Sequence, residues 1–300
     1  MSLLVTELVT VPECEVSADA RLRTDIAQPA PVLMILHGFK AFARWGFFPY
    51  FGEYFARRGF LTLVVNFSLN GTPHRMIPDS TDCAEPERFA RNTVSQEVCD
   101  ASVLLELISQ HSLGTGTRWG DALSQWWNGD VYIVAHSRGG AVAWVLGYHF
   151  ANIIRKIAAL GTVSRLDRFT ERAKQEWRSK GYMEVRNART GQELRMDRAY
   201  LEDIVLHADK LEPQKTIARL CPPSVQTDIL LVHGEQDMTV ALSEAYELYA
   251  VAQQAGCRVQ LVQIPHVGHT FGVTHPMTLE HAQQLPFRHL CSVLEAFFRV

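Results

Sequence analysis

The sequence has six cysteines (Cys14, Cys83, Cys99, Cys221, Cys257 and Cys291) but no C-x-x-C pair among them. That spacing argues against a zinc knuckle and suggests no disulfide framework, so reduced thiols and a cytoplasmic location are expected. An excess of either charge is also missing. A formal net charge of -3 over 300 residues offers no field to attract nucleic acid or a membrane surface, and neither is expected as a partner. No apolar run is long enough to span a bilayer, and residues 1–7 show no basic region, apolar core or cleavage site. Gly114, Gly116 and Gly120 follow a helical stretch without G-x-G-x-x-G spacing, which predicts a flexible loop and no nucleotide site. Asn66 and Asn70 open N-x-S/T sequons that, without a secretion signal, read as chance matches. Nothing in the composition sets an oligomeric state.

What is present suits a globule with a full core, since hydrophobic residues make up 47% of the chain and charged residues 20%. Residues 31–36, 60–65, 131–134, 157–160, 228–234 and 259–264 are β-prone apolar runs. The first is apolar on both faces, as in a sheet covered on both sides. Between the runs lie helical stripes, such as Phe51, Tyr54 and Phe55, or Val94, Val98, Ala101, Leu104, Leu105 and Ile108. Residues 3–24 alternate loosely and predict two antiparallel edge strands, and a polar loop with Pro73, Pro78 and Pro86 precedes the long helix. From about residue 164 to 220 the rhythm breaks. Leu166, Phe169, Ala173 and Trp177 form one narrow stripe on a charged helix, and a hairpin is expected around Ala188–Gly191; the stripe is expected to need the main domain as its partner.

The chemistry centres on residues 131–140, where a strand runs through Ala135 and His136 into Ser137, Arg138, Gly139 and Gly140 and then into a helix. A serine at such a corner is held in a strained conformation that lifts its hydroxyl clear of the sheet. The residues two before and two after it must be small so that strand and helix can pass closely. Ala135 and Gly139 meet that need, with alanine in place of the first glycine of G-x-S-x-G.

On these residues the chain resembles the α/β-hydrolase superfamily. The stretch from His37 through Gly71 looks like bacterial members related to dienelactone hydrolases and to prolyl-oligopeptidase-like catalytic domains. It departs from dienelactone hydrolases in carrying serine where they carry cysteine. The resemblance implies an α/β-hydrolase fold: a mostly parallel central sheet with helices on both faces and an inserted cap. Residues 1–163 and 221–300 would form the core and 164–220 the cap. It also implies a triad in the chain order serine, acid, histidine, which Ser137, Asp237 and His269 meet, each after a strand. Glu235, His266 and His275 are the competing candidates. Phe39 and Arg138 would supply the two oxyanion N–H groups. Trp45, Phe47 and Phe48 could wall a pocket or belong to the core, and Trp177 would reach the pocket from the cap.

The implied reaction is attack of Ser137 on a small carboxylic ester, an acyl-enzyme, and release by water. It needs no metal and no organic cofactor. His37, His136, His233, His266 and His269 could be imagined as zinc ligands, but no H-x-x-x-H or acidic cluster accompanies them. Acyl transfer, thioester or peptide cleavage on the same triad is the alternative, and a binding module without turnover is a third.

Overall fold

The computed structural model describes residues 4–73, 83–221 and 227–299; Pro78 of the polar loop lies outside them. In chain order the elements begin with β1 (Leu4–Val11), β2 (Val16–Arg23), β3 (Ala30–Leu36), α1 (Phe48–Ala56) and β4 (Leu61–Asn66). There follow α2 (Pro86–Ala90), α3 (Val94–Ser109), α4 (Arg118–Trp126), β5 (Trp127–His136), α5 (Gly139–His149) and β6 (Ile154–Leu160). The segment between β6 and the next sheet strand holds α6 (Glu171–Lys180), β7 (Tyr182–Arg186), β8 (Glu193–Asp197), α7 (Arg198–Leu206), α8 (Ala208–Leu211) and α9 (Pro213–Ile217). The chain closes with β9 (Asp228–Gly234), α10 (Leu242–Gln254), β10 (Val259–Ile264), α11 (Leu279–Gln283) and α12 (Leu285–Phe298).

Eight strands form one sheet in the order β1-β2-β4-β3-β5-β6-β9-β10, and β7 and β8 form a separate hairpin. The pairs β1–β2 and β2–β4 are antiparallel and the remaining pairs parallel, which is the mostly parallel sheet of an α/β-hydrolase fold. Side chains alternate faces along a strand. In β3, Leu33 and Ile35 pack with Phe51 and Phe55 of α1 and with Leu294 and Phe298 of α12. Val32, Met34 and Leu36 pack on the opposite side with Leu104 of α3 and Trp144 of α5. Each such large side chain taken out of water contributes roughly 1.5–3 kcal/mol, and continuous apolar strands are stable only because both faces are covered. Among the described residues no helix is long and apolar enough to cross a membrane.

Three expectations are corrected. Cys221 and Cys257 form a disulfide with a Cα–Cα distance of 5.2 Å, so the thiols are not all reduced. The two cysteines precede β9 and β10, neighbouring parallel strands that bring their amino ends together across 36 residues of sequence. Of the three glycines expected in a loop, Gly114 and Gly116 lie in turns, but Gly120 lies inside α4, and a β-carbon there would stand 2.1 Å from the Gly114 carbonyl oxygen. Trp177, finally, does not lean on the main domain. It is 1% exposed, stacks on Tyr200 of α7 at 6.0 Å, meets the edge of Phe169 and donates from Nε1 to the Met196 carbonyl of β8 at 3.0 Å. Its partners come from the inserted segment itself, which thereby builds a small core continuous with the main one.

Candidate active site

Ser137 directly follows β5 with φ 56°, a left-handed conformation that costs a non-glycine residue about 1–3 kcal/mol. The corner is over-determined: Ser137 N–H donates to Leu160 O at 2.9 Å, and the Ser137 carbonyl accepts from Gly140 N–H and from Thr162 Oγ1, each at 3.0 Å. The turn after β3 lies against it. A β-carbon on Gly38 would fall 2.8 Å from Ser137 Cβ, and one on Gly139 would fall 2.6 Å from His37 O, so both positions need glycine.

Asp237 and His269 come from the turns after β9 and β10. His269 Nδ1 lies 2.7 Å from Asp237 Oδ2, a side chain with no exposed surface. The other oxygen, Oδ1, accepts from Thr239 N–H at 2.8 Å and Val240 N–H at 2.9 Å. Burial alone would raise the Asp237 pKa, but hydrogen bonds from His233 and His269 and from the Val240 N–H outweigh it and hold the carboxyl well below its usual range. An ionised Asp237 keeps the proton of His269 on Nδ1 and leaves Nε2 as the basic nitrogen. Ser137 and His269 line one cavity of about 770 Å³. Among the described residues no hydrogen bond joins them, and such bonds often close only in the substrate complex. Of the competitors, Glu235 and His266 are exposed, while His275 lines the cavity and accepts from Gly46 N–H.

Phe39 and Arg138 line the same cavity. Neither backbone N–H has an acceptor among the described residues. Arg138 opens α5, so the helix adds its positive end at this point. The Arg138 guanidinium is buried, pairs with Glu97 at 2.5 Å and lies 4.6 Å over the Phe39 ring, which ties the two turns together. Trp45 lines the cavity, but Phe47 and Phe48 do not. Both are fully buried against His136, so their expected place in a pocket wall is corrected: they belong to the core under α1. Trp177 is likewise absent from the lining, because its indole is consumed by the small core of the inserted segment. That segment reaches the cavity instead through Leu166, Phe169, Met183, Val185, Met196 and Tyr200.

Three buried histidines support the site without facing it. His37 Nε2 accepts from Phe67 N–H at 3.4 Å, so Nδ1 carries the proton and donates to Gly38 O at 2.9 Å. That bond orients the peptide whose other end is the Phe39 N–H. Asn70 Nδ2 lies 3.3 Å from His37 Nε2 and donates to Asn66 Oδ1 at 2.7 Å, which gives the two sequon asparagines buried roles. His136 Nε2 donates to the His269 carbonyl at 2.9 Å, and His233 Nε2 donates to Val240 O at 2.9 Å beside Asp237. Burial pushes His37 down to about 4 and His136 down to about 3, so both stay neutral and keep one donor and one acceptor. In the sequence each looks like any strand-end histidine; only its position directly after an apolar strand hinted at the role.

The profile of the prolyl oligopeptidase family matches residues 128–292, more than half of the chain and a span that includes Ser137, Asp237 and His269. Among solved structures the chain is similar to alpha/beta hydrolase domain-containing protein 10 from mouse, at 12% identity and a TM-score of 0.63, over 97% of each chain. It is also similar to Est1E from Butyrivibrio proteoclasticus, at 15% identity and a TM-score of 0.57, over 96% of this chain and 98% of that one. A dienelactone hydrolase from Anabaena variabilis matches at 13% identity and a TM-score of 0.55, over 99% of this chain and 97% of that one. At these identities the likeness concerns the fold. No curated protein matches the sequence.

Proposed function

The chain belongs to the prolyl oligopeptidase family, and on that premise we propose that it is a serine hydrolase that cleaves a small carboxylic ester through an acyl-enzyme on Ser137. The observation that carries the reading is one cavity shared by a strained serine, a histidine bonded to a buried carboxylate, and two residues whose N–H groups lack acceptors. Ser137 Oγ attacks the carbonyl carbon as His269 Nε2 takes its proton. The carbonyl π bond breaks, and its electron pair moves to the oxygen, which the Phe39 and Arg138 N–H groups hold. Those donors favour the tetrahedral state over bound substrate because the charge exists only there. Collapse expels the alcohol, protonated by His269, and water then releases the acid by the same steps in reverse. The segment 164–220 acts as a cap, its apolar side chains excluding water from the acyl-enzyme.

The family's description favours a second reading, peptide cleavage, on the same residues. An amine leaves less readily than an alcohol, so comparing p-nitrophenyl esters with matched p-nitroanilides decides between them, and adding an alcohol acceptor reveals acyl transfer. A fluorophosphonate probe should label the protein once, at Ser137, and Ser137→Ala should lower ester turnover by about a million-fold. Undiminished hydrolysis by that variant would remove Ser137 from the reaction.

A further inference from the structure

The charges around the cavity are all of one sign. Lys40, Arg138, Arg165, Arg168 and Arg189 line it, and among the described residues no aspartate or glutamate does. Three of these cations already have partners outside the lining: Arg138 with Glu97 at 2.5 Å, Arg168 with Glu244 at 2.7 Å and Arg165 with Glu247 at 3.4 Å. Lys40 and Arg189 have no carboxylate partner among the described residues.

These two cations are neighbours. The Arg189 guanidinium donates to the Lys40 carbonyl, and Lys40 Nζ donates to Arg186 O at 3.0 Å, which joins the turn after Phe39 to the β7–β8 hairpin. Those bonds use one donor of each side chain and leave the rest of the guanidinium fork and of the ammonium available. Arg189 also stands 5.3 Å over the ring of Trp45. The Trp45 Nε1–H is buried and has no acceptor among the described residues. Burial, and the charge of Arg189, lower the Lys40 pKa. Two neighbouring cations repel one another, and an anion seated between them relieves that repulsion.

We propose that Lys40 and Arg189 form an anion subsite beside the oxyanion turn, so that the ester cleaved at Ser137 carries a carboxylate or phosphate group. The assignment rests on the serine-hydrolase reading above and adds its substrate class. The guanidinium grips two oxygens of the anion in a fixed plane, while the ammonium adds a point charge. Lys40 adjoins Phe39, so one end of the substrate is tied down next to the donor that holds the oxyanion.

The test compares kcat/KM within two matched pairs: the p-nitrophenyl half-ester of glutarate, with a free carboxylate, against neutral p-nitrophenyl butyrate, and 2-(butyryloxy)ethyl phosphate against neutral 2-methoxyethyl butyrate. The protein should favour one of the anionic esters over its uncharged counterpart by about tenfold, more at low salt and less at high salt. Whichever anion gains more identifies the group. Arg189→Gln and Lys40→Met should each reduce that preference several-fold, mainly through KM. Equal losses on neutral and anionic esters would mean that the two side chains only join the hairpin to the turn, and would overturn the subsite.

Calorimetry on Ser137→Ala, with monomethyl glutarate against dimethyl glutarate, reads the subsite without turnover. Anion-selective binding abolished by Arg189→Gln, together with no hydrolysis by the native protein, would keep the subsite and sink the hydrolase reading. Hydrolysis of neutral esters with no anion preference would do the opposite.

Discussion

The strand ends that carry Ser137, Asp237 and His269 and the inserted segment that shares their cavity keep their shapes by different means. At the strand ends the fixing contacts are buried and polar: His37 to Gly38 O, His136 to His269 O and His233 to Val240 O, two N–H groups on the Asp237 carboxylate, and the Arg138–Glu97 pair. A residue displaced there leaves a buried polar group without its partner, at about 1–3 kcal/mol each. The inserted segment packs chiefly through apolar side chains, the aromatic cluster of Trp177 with Tyr200 and Phe169 and the buried Leu201, Ile204 and Ile217, and carries exposed ion pairs such as Arg172–Glu176 and Arg198–Glu202 on its surface. On the proposed function, the reacting groups would sit among buried hydrogen bonds, while the segment that would set specificity packs through apolar side chains.

The largest effect that would break this contrast is expected at Asp237. Asp237→Asn cannot hold the His269 tautomer as a carboxylate does, and kcat should fall by about ten thousand-fold while the circular dichroism spectrum stays native. Retention of most activity would mean that His269 is oriented by something else. The same variant tests the pKa argument. The folded Asp237 carboxyl lies below its ordinary value of 3.8, so its ionisation stabilises the fold at higher pH, and that contribution is lost as pH falls beneath 3.8. The stability gap between native protein and variant, from urea melts, should accordingly narrow below about pH 4.

Next in size is Trp177→Ala, which removes the anchor of the inserted segment and should cost roughly 3–5 kcal/mol of stability. An indole that lined the cavity would instead change the ester profile at little cost in stability, so melting and ester selectivity measured together separate the two roles. The smallest effect sharpens the contrast from the other side. Arg172→Ala removes a pair whose side chains are 87% and 65% exposed, and it should shift stability by less than about 0.5 kcal/mol. A larger loss would show that the surface pairs of the segment act as a network.

Much of the fold was legible in the sequence because its signals are local. An apolar run such as 31–36 declares a strand covered on both faces wherever that strand ends up, and the small residues around Ser137 declare the tight corner they must form. The edge strands, the long helix from Val94 and the hairpin around 188–191 could be read in the same way. Asp237 and His269 could be placed after their strands, and the structure brings them to 2.7 Å of each other.

What the sequence by itself determined was the run of main sheet strands and the longer helices, together with the candidate residues at the strand ends, since backbone preference and side-chain type act within a few positions. Only the tertiary structure decided which partners those residues meet. Trp45 lines the cavity while Phe47 and Phe48 fill the core, although the three stand within four positions of one another. Cys221 finds Cys257 across 36 residues, and Arg189 finds Lys40 across 149. A side chain states what must be satisfied, an apolar surface to cover or a proton to place. The group that satisfies it is brought by the packing of distant segments, which no local pattern encodes.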